Sequence, residues 1–138
     1  MNAREVVIVD DNPADALLMQ TALESTADPR WQISIIGRSD TAVANLIARP
    51  TTPDLILLDY HMPTNGGMVL SELKRTPSLS HIPVIVVTGQ VTERELCALY
   101  RNGASCCFVK PHSLDKHLGL FEGIASLWLR EALLPKKC

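Results

Sequence analysis

The chain has 138 residues, of which 46% are apolar and 20% charged, and its formal net charge is -2. That is long enough for one core without disulfides or metals, and too apolar to remain disordered. The scattered basic residues give no footprint for nucleic acid or anionic lipid. No run approaches the roughly 20 apolar residues of a membrane span, and the opening MNAREVV is not a signal peptide, so a cytoplasmic location with neither partner is expected.

In chain order, the first element is a strand, Glu5 to Val9, cut off by Asp10, Asp11, Asn12 and Pro13 before helical spacing runs from Ala14 to Ser25. A second strand, Gln32 to Ile36, precedes a helix from Thr41 to Arg49. The third, Leu55 to Leu58, closes on Asp59 and leads to a helix from Met68 to Arg75. The fourth, Val84 to Val87, closes on Thr88 and leads to a helix from Arg94 to Asn102. The fifth, Cys106 to Val109, closes on Lys110 and Pro111, and a last helix runs from Leu114 to about Leu133. The strands are nearly continuous apolar runs, the pattern of strands covered on both faces by helices. The fold class is therefore α/β, a doubly wound parallel sheet.

In such sheets the ligand site lies beyond the carboxyl ends of the strands. Asp10, Asp11, Asp59, Thr88 and Lys110 all fall there. Each has an ordinary role when taken singly: Asp11 or Asn12 capping a helix that starts at Pro13, Thr88 opening a turn, Lys110 solvated before a proline. Capping explains neither Asp10 nor the matching Asp59, and five such residues at one edge favour a functional site. Three crowded carboxylates repel, so one pKa should be raised unless a cation compensates. With oxygen ligands only, and few of them, the expected ion is Mg²⁺ retaining waters.

The cysteines, Cys97, Cys106, Cys107 and Cys138, form no CxxC pair and are read as buried thiols. The segment SLWLREALLP, Ser126 to Pro135, sets leucines almost all around a helix, whereas a helix packed on its own domain buries one stripe. Leu127, Trp128, Leu129, Leu133 and Leu134 are thus candidate interface residues on a C-terminal extension, residues 126–138, of a single domain spanning 1–138. A helix end folded back on its own core is the alternative.

The set Asp10, Asp11, Asp59, Thr88, Lys110 and Pro111, in this order within five βα units, resembles the receiver domain of two-component response regulators. The resemblance implies a flavodoxin-like sheet of order 2-1-3-4-5. It implies Asp59 as phosphoacceptor for a sensor histidine kinase, with Mg²⁺ held by Asp10, Asp11, Asp59 and the backbone carbonyl of His61. It also implies Lys110 and Thr88 as phosphoryl-binding switch residues, Gly89 leaving room beside the phosphate, and His61 and Gln90 tuning hydrolysis. The family carries an aromatic switch residue where Cys107 stands, and Phe108 points to the opposite face, so output is expected from the segment between Thr88 and Arg101 or from association.

The tryptophan in the leucine-rich last helix, together with DDNPAD near the start, resembles single-domain regulators paired with bacterial phytochromes, which implies a homodimer. PTNGG, RSDTAVANL and Cys107 depart from that pattern. No DNA-binding part and no turnover activity are expected. The rival readings are an aspartyl phosphatase, whose usual second acid is replaced by His61, and a scaffold that works without phosphorylation.

Overall fold

The computed structural model describes residues 4–25, 31–60, 66–136 and 138. Its elements are β1 (Glu5–Val9), α1 (Pro13–Ser25), β2 (Gln32–Ile36), a 3₁₀ turn (Ser39–Thr41), α2 (Ala42–Ala48), β3 (Leu55–Asp59), α3 (Gly66–Arg75), β4 (Val84–Thr88), α4 (Glu93–Arg101), β5 (Cys106–Val109) and α5 (Leu114–Ile124), followed by a π-helix, Ala125–Glu131. The five parallel strands lie in the order 2-1-3-4-5 expected above. β3 and β4 run one residue further than anticipated, so Asp59 and Thr88 are themselves strand residues and inherit the rigidity of the ladder.

Strand alternation divides the core into two layers. Val7, Val9, Ile56, Leu58, Val84 and Val86 face α2, α3 and α4, where Val43, Leu46, Leu70, Leu73 and Leu99 cover them. Val6, Ile8, Leu55, Leu57, Ile85 and Val87 face α1 and α5, against Ala16, Met19, Leu23, Phe121 and Ile124. Every residue of β3 and β4 is buried, which explains their unbroken apolar runs. Cys107 and Phe108 fall on opposite layers, so Phe108 belongs to the α1/α5 side and is no substitute for a switch aromatic above Thr88.

Helix termini follow their local chemistry. Asn12 caps α1, its Oδ1 accepting the Ala14 and Asp15 N–H groups at 3.0 and 3.1 Å, with Pro13 at the first helical position. α4 starts with a reciprocal box in which Thr92 Oγ1 accepts the Glu95 N–H and Glu95 accepts the Thr92 N–H. It ends at Gly103, whose φ of 103° suits glycine.

The last helix is extended, as expected, from Leu114 to Glu131. It widens into π turns after Ile124 and stops at Glu131, not near Leu133. Leu129 is 3% exposed and belongs to the chain's own core, which corrects its assignment to an interface; Trp128 is half-buried against the same layer. Leu127 and Leu133 remain 59% and 96% exposed, and Leu134 is half-buried. Beyond Glu131 the chain doubles back under the amino ends of the strands. Arg4 donates to the Ala132 carbonyl, Thr52 Oγ1 donates to the Lys136 carbonyl, His81 Nε2 lies 3.1 Å from that same oxygen, and Lys136 Nζ donates to Asp54 Oδ2 at 2.9 Å. The cysteine expectation also fails: Cys97 and Cys138 are exposed while Cys106 and Cys107 are half-buried, and burial pushes the Cys107 thiol pKa up.

Asp54 anchors this lower edge. Its side chain is fully buried and accepts the Glu5 N–H at 2.9 Å as well as Lys136, with Arg4 3.8 Å away. Asp54→Ala should cost about 1–3 kcal/mol, because the Glu5 N–H loses its acceptor. Lys136→Ala removes only a half-exposed partner and should cost less than about 1 kcal/mol. Urea unfolding of the two variants checks the ranking.

Candidate functional site

The register sets the site. Val9 pairs with Leu58 and Asp59 with Val87, while Thr88 pairs with Val109 and the Lys110 N–H donates to the Thr88 carbonyl. Asp10, Asp59, Thr88 and Lys110 therefore emerge side by side at one edge, as expected. Asp10, Asp59 and Thr88 are 1%, 6% and 0% exposed.

Asp10 Oδ1 accepts the Asn12 N–H at 2.9 Å, whereas Oδ2 is buried without a hydrogen-bond partner. Lys110 Nζ lies 3.7 Å from that oxygen, 3.5 Å from Asp59 and 2.9 Å from Asp15 Oδ2. Burial pushes the Asp10 pKa up to about 6; the Asn12 hydrogen bond opposes this, the Asp59 carboxylate adds to it, and Lys110 offsets part. Burial alone would lower the Lys110 pKa, but the Asp15 hydrogen bond and the charges of Asp59 and Asp10 outweigh it and raise the pKa above that of an ordinary lysine. The raised carboxyl pKa foreseen for crowded acids thus falls on Asp10.

Asp11 behaves differently. Its Oδ1 accepts the Ser39 N–H at 2.9 Å and its Oδ2 accepts from Ser39 Oγ at 3.2 Å, so it faces the turn after β2. Among the described residues no three carboxylates, imidazoles or thiols already close on one point. His61 lies outside the described residues. The donors nevertheless suit a hard cation. They are all oxygen, one is a buried carboxylate oxygen with no hydrogen to accept, and each Asp11 oxygen retains a second lone pair beyond its bond to Ser39.

Thr88 Oγ1 donates to the Gln90 carbonyl at 3.0 Å and accepts the Gln90 N–H at 3.4 Å, a resting arrangement inside the loop after β4. A Cβ built on Gly89 meets no atom within 4 Å, so the space assigned to that position is present. The Cys107 N–H donates to the Tyr100 hydroxyl at 3.2 Å, bringing an aromatic side chain of α4 to the edge strand at that position.

Three partners were not anticipated. Asp15 was visible in DDNPAD, one helical turn after Asp11, and its spacing on α1 was the available signal. Ser39 meets Asp11 only through the path of the loop after β2, and nothing local in the sequence announces that. Tyr60, next to the phosphoacceptor candidate, is hydrogen-bonded to Glu95 of the α4 cap, and burial together with that carboxylate raises its pKa.

Comparison with known proteins agrees with this geometry. A family profile described as response regulator receiver domain matches residues 6–120. Response regulator Rcp1 of Synechocystis sp. is 34% identical over 137 residues, covering 94% of this chain and 92% of Rcp1. The crystal structure of the phosphorylated cyanobacterial phytochrome response regulator RcpA superposes with a TM-score of 0.89 at 32% identity, over 96% of this chain and 99% of that one. The Mn²⁺-bound form of Rcp1 gives 0.86 at 32% identity, over 96% and 99%.

A pH dependence follows from Asp10 in the metal-free protein. Its folded-state pKa of about 6 exceeds the ordinary 3.8, so between those values the folded state binds the extra proton and stability falls as pH rises. In EDTA, wild type should lose stability of order 2 to 3 kcal/mol between about pH 4 and pH 6 through this group, and Asp10→Asn should remove that component. Urea midpoints for both proteins across this range provide the check.

Proposed function

The chain belongs to the response regulator receiver domain family, and from that premise we propose that it takes a phosphoryl group from a sensor histidine kinase onto Asp59. In this reaction an Asp59 oxygen forms a bond to phosphorus, the P–N bond of the kinase phosphohistidine breaks, and the imidazole leaves. The observation that carries the reading is the position of Asp59 at the end of β3, beside the unsatisfied Asp10 oxygen and 3.5 Å from the Lys110 ammonium.

Asp10, Asp11 and Asp59, with the His61 carbonyl, are the residues to hold Mg²⁺, which when bound supplies charge neutralisation for the transferring group. The divalent ion named for Rcp1 is Mn²⁺, and the all-oxygen donor set here accepts either. Lys110 approaches a phosphoryl oxygen from one side. Thr88 gives up its bond to Gln90 and reaches the group from the other, through the open space at Gly89.

With Cys107 in place of an aromatic, we assign the outgoing signal to α4. Tyr60 ties the residue after Asp59 to the α4 cap through Glu95, and Tyr100 ties α4 to β5 at the Cys107 N–H. The kinase is assigned to the phytochrome class on the strength of the RcpA likeness. A symmetric homodimer through the C-terminal segment is supported by the exposed Leu127 and Leu133 with Trp128 and Leu134 beside them.

Incubation with a small-molecule phosphoryl donor and Mg²⁺, read by intact mass, should add one phosphoryl group to wild type and none to Asp59→Asn. Equal labelling of both proteins rejects the assignment. Sedimentation of the same samples should give a dimer that Leu127→Glu with Leu133→Glu converts to a monomer; a wild type that stays monomeric at every concentration removes the dimer from the account.

A further inference from the structure

The shortest contact of the Lys110 ammonium is not with the strand-end acids. It donates to Asp15 Oδ2 at 2.9 Å, within hydrogen-bond length, while Asp59 and Asp10 at 3.5 and 3.7 Å act on it only as charges. Asp15 approaches from the first turn of α1, which the Asn12 cap fixes by accepting the Ala14 and Asp15 N–H groups. The Asp15 side chain is 43% exposed and that of Lys110 is 21% exposed, so the pair stands at the rim of the site.

We propose that Asp15 is a positioning residue for Lys110, holding the ammonium at the rim in the unphosphorylated state and releasing it when a phosphoryl oxygen competes. This rests on the reading of Asp59 as phosphoacceptor. An ammonium has three donors and seeks the largest nearby negative charge. A group bringing about -1.5 to -2 charge to Asp59 draws Lys110 inward, and Asp15 opposes that movement. With a divalent cation held by Asp10 and Asp59, the ammonium would be repelled outward, and Asp15 is placed to receive it. Asp15 therefore favours the metal-loaded resting state and disfavours the phosphorylated one, two effects of opposite sign from a single contact.

The test uses Asp15→Asn, which keeps the size and the helix-start position of the residue. Affinity for Mn²⁺ alone is read from the electron paramagnetic resonance of the free ion, and affinity for beryllofluoride at saturating Mg²⁺ from fluorine NMR. The substitution should weaken Mn²⁺ binding roughly two- to fivefold and tighten beryllofluoride binding by a similar factor, the range expected for a partly exposed ion pair. Asp15→Glu should restore both affinities toward wild type. In a Lys110→Met background the Asn substitution should lose more than half of each effect, because the contact through which it acts is gone.

Shifts of the same sign, or no shift, overturn the proposal. Full-sized shifts in the Lys110→Met background also overturn it, since Asp15 would then act through its field alone. A wild type that binds no beryllofluoride, or binds it equally well as Asp59→Asn, overturns the phosphoacceptor reading itself and this inference with it.

Discussion

One ammonium among three carboxylates holds the upper edge of this molecule together. Lys110 lies within 4 Å of Asp10, Asp15 and Asp59, contributed by β1, α1 and β3, while its own backbone N–H is bonded to the end of β4. Without a cation, a carboxylate as buried as Asp10 beside Asp59 would be forced largely into its protonated form. Lys110 relieves only part of this, since its distance from Asp10 leaves one oxygen unsatisfied and the Asp10 pKa at about 6. A site that remains acidic, buried at Asp10 and Asp59 and incompletely compensated is suited to another cation and then a phosphoryl group. The fold supplies that condition by ending β1 and β3 in register.

A second buried aspartate stands at the opposite edge. Asp54 is as deeply buried as Asp10, yet it accepts from the Glu5 N–H and from Lys136, with Arg4 in reserve. Both bonds go to Oδ2; its Oδ1, like Asp10 Oδ2, is buried without a hydrogen-bond partner and has a cation only at a distance, Arg4 at 3.8 Å. What separates the two is their company: Asp54 is flanked by Arg4 and Lys136 and ties the C-terminal tail to the strand starts, whereas Asp10 shares one ammonium with Asp15 and the neighbouring carboxylate of Asp59.

Much of this was legible in the sequence because it depends on short-range rules. Unbroken apolar runs with polar stops gave the strands within one residue, and strand alternation put Cys107 and Phe108 on opposite layers. DDNP left open whether Asp11 or Asn12 caps the first helix; the structure assigns the cap to Asn12, which leaves Asp11 for Ser39 and Asp10 for the interior. The failures are all matters of tertiary path. The turn after β2 decides where Asp11 points. The return of the chain after Glu131, fixed by Asp54 far away in sequence, decides that Leu129 is core and Leu133 is not. A leucine-rich helix end reads the same whether it overhangs or folds back, because periodicity records which side chains share a face and not what lies opposite.

Cys107 gives β5 no ring at this position, and the aromatic contact there comes from α4. Tyr100 reaches the Cys107 N–H from the helix, and Tyr60 reaches Glu95 at the helix start, so two phenols bracket α4 at its ends. Glu95 is also half of the cap with Thr92, and the Thr88 hydroxyl is engaged with Gln90, three residues before that helix begins at Glu93. A displacement of Thr88 toward Asp59 would therefore disturb the loop that leads directly into the cap. The two tyrosines would carry the change to both helix ends without requiring a ring to swing through the sheet edge.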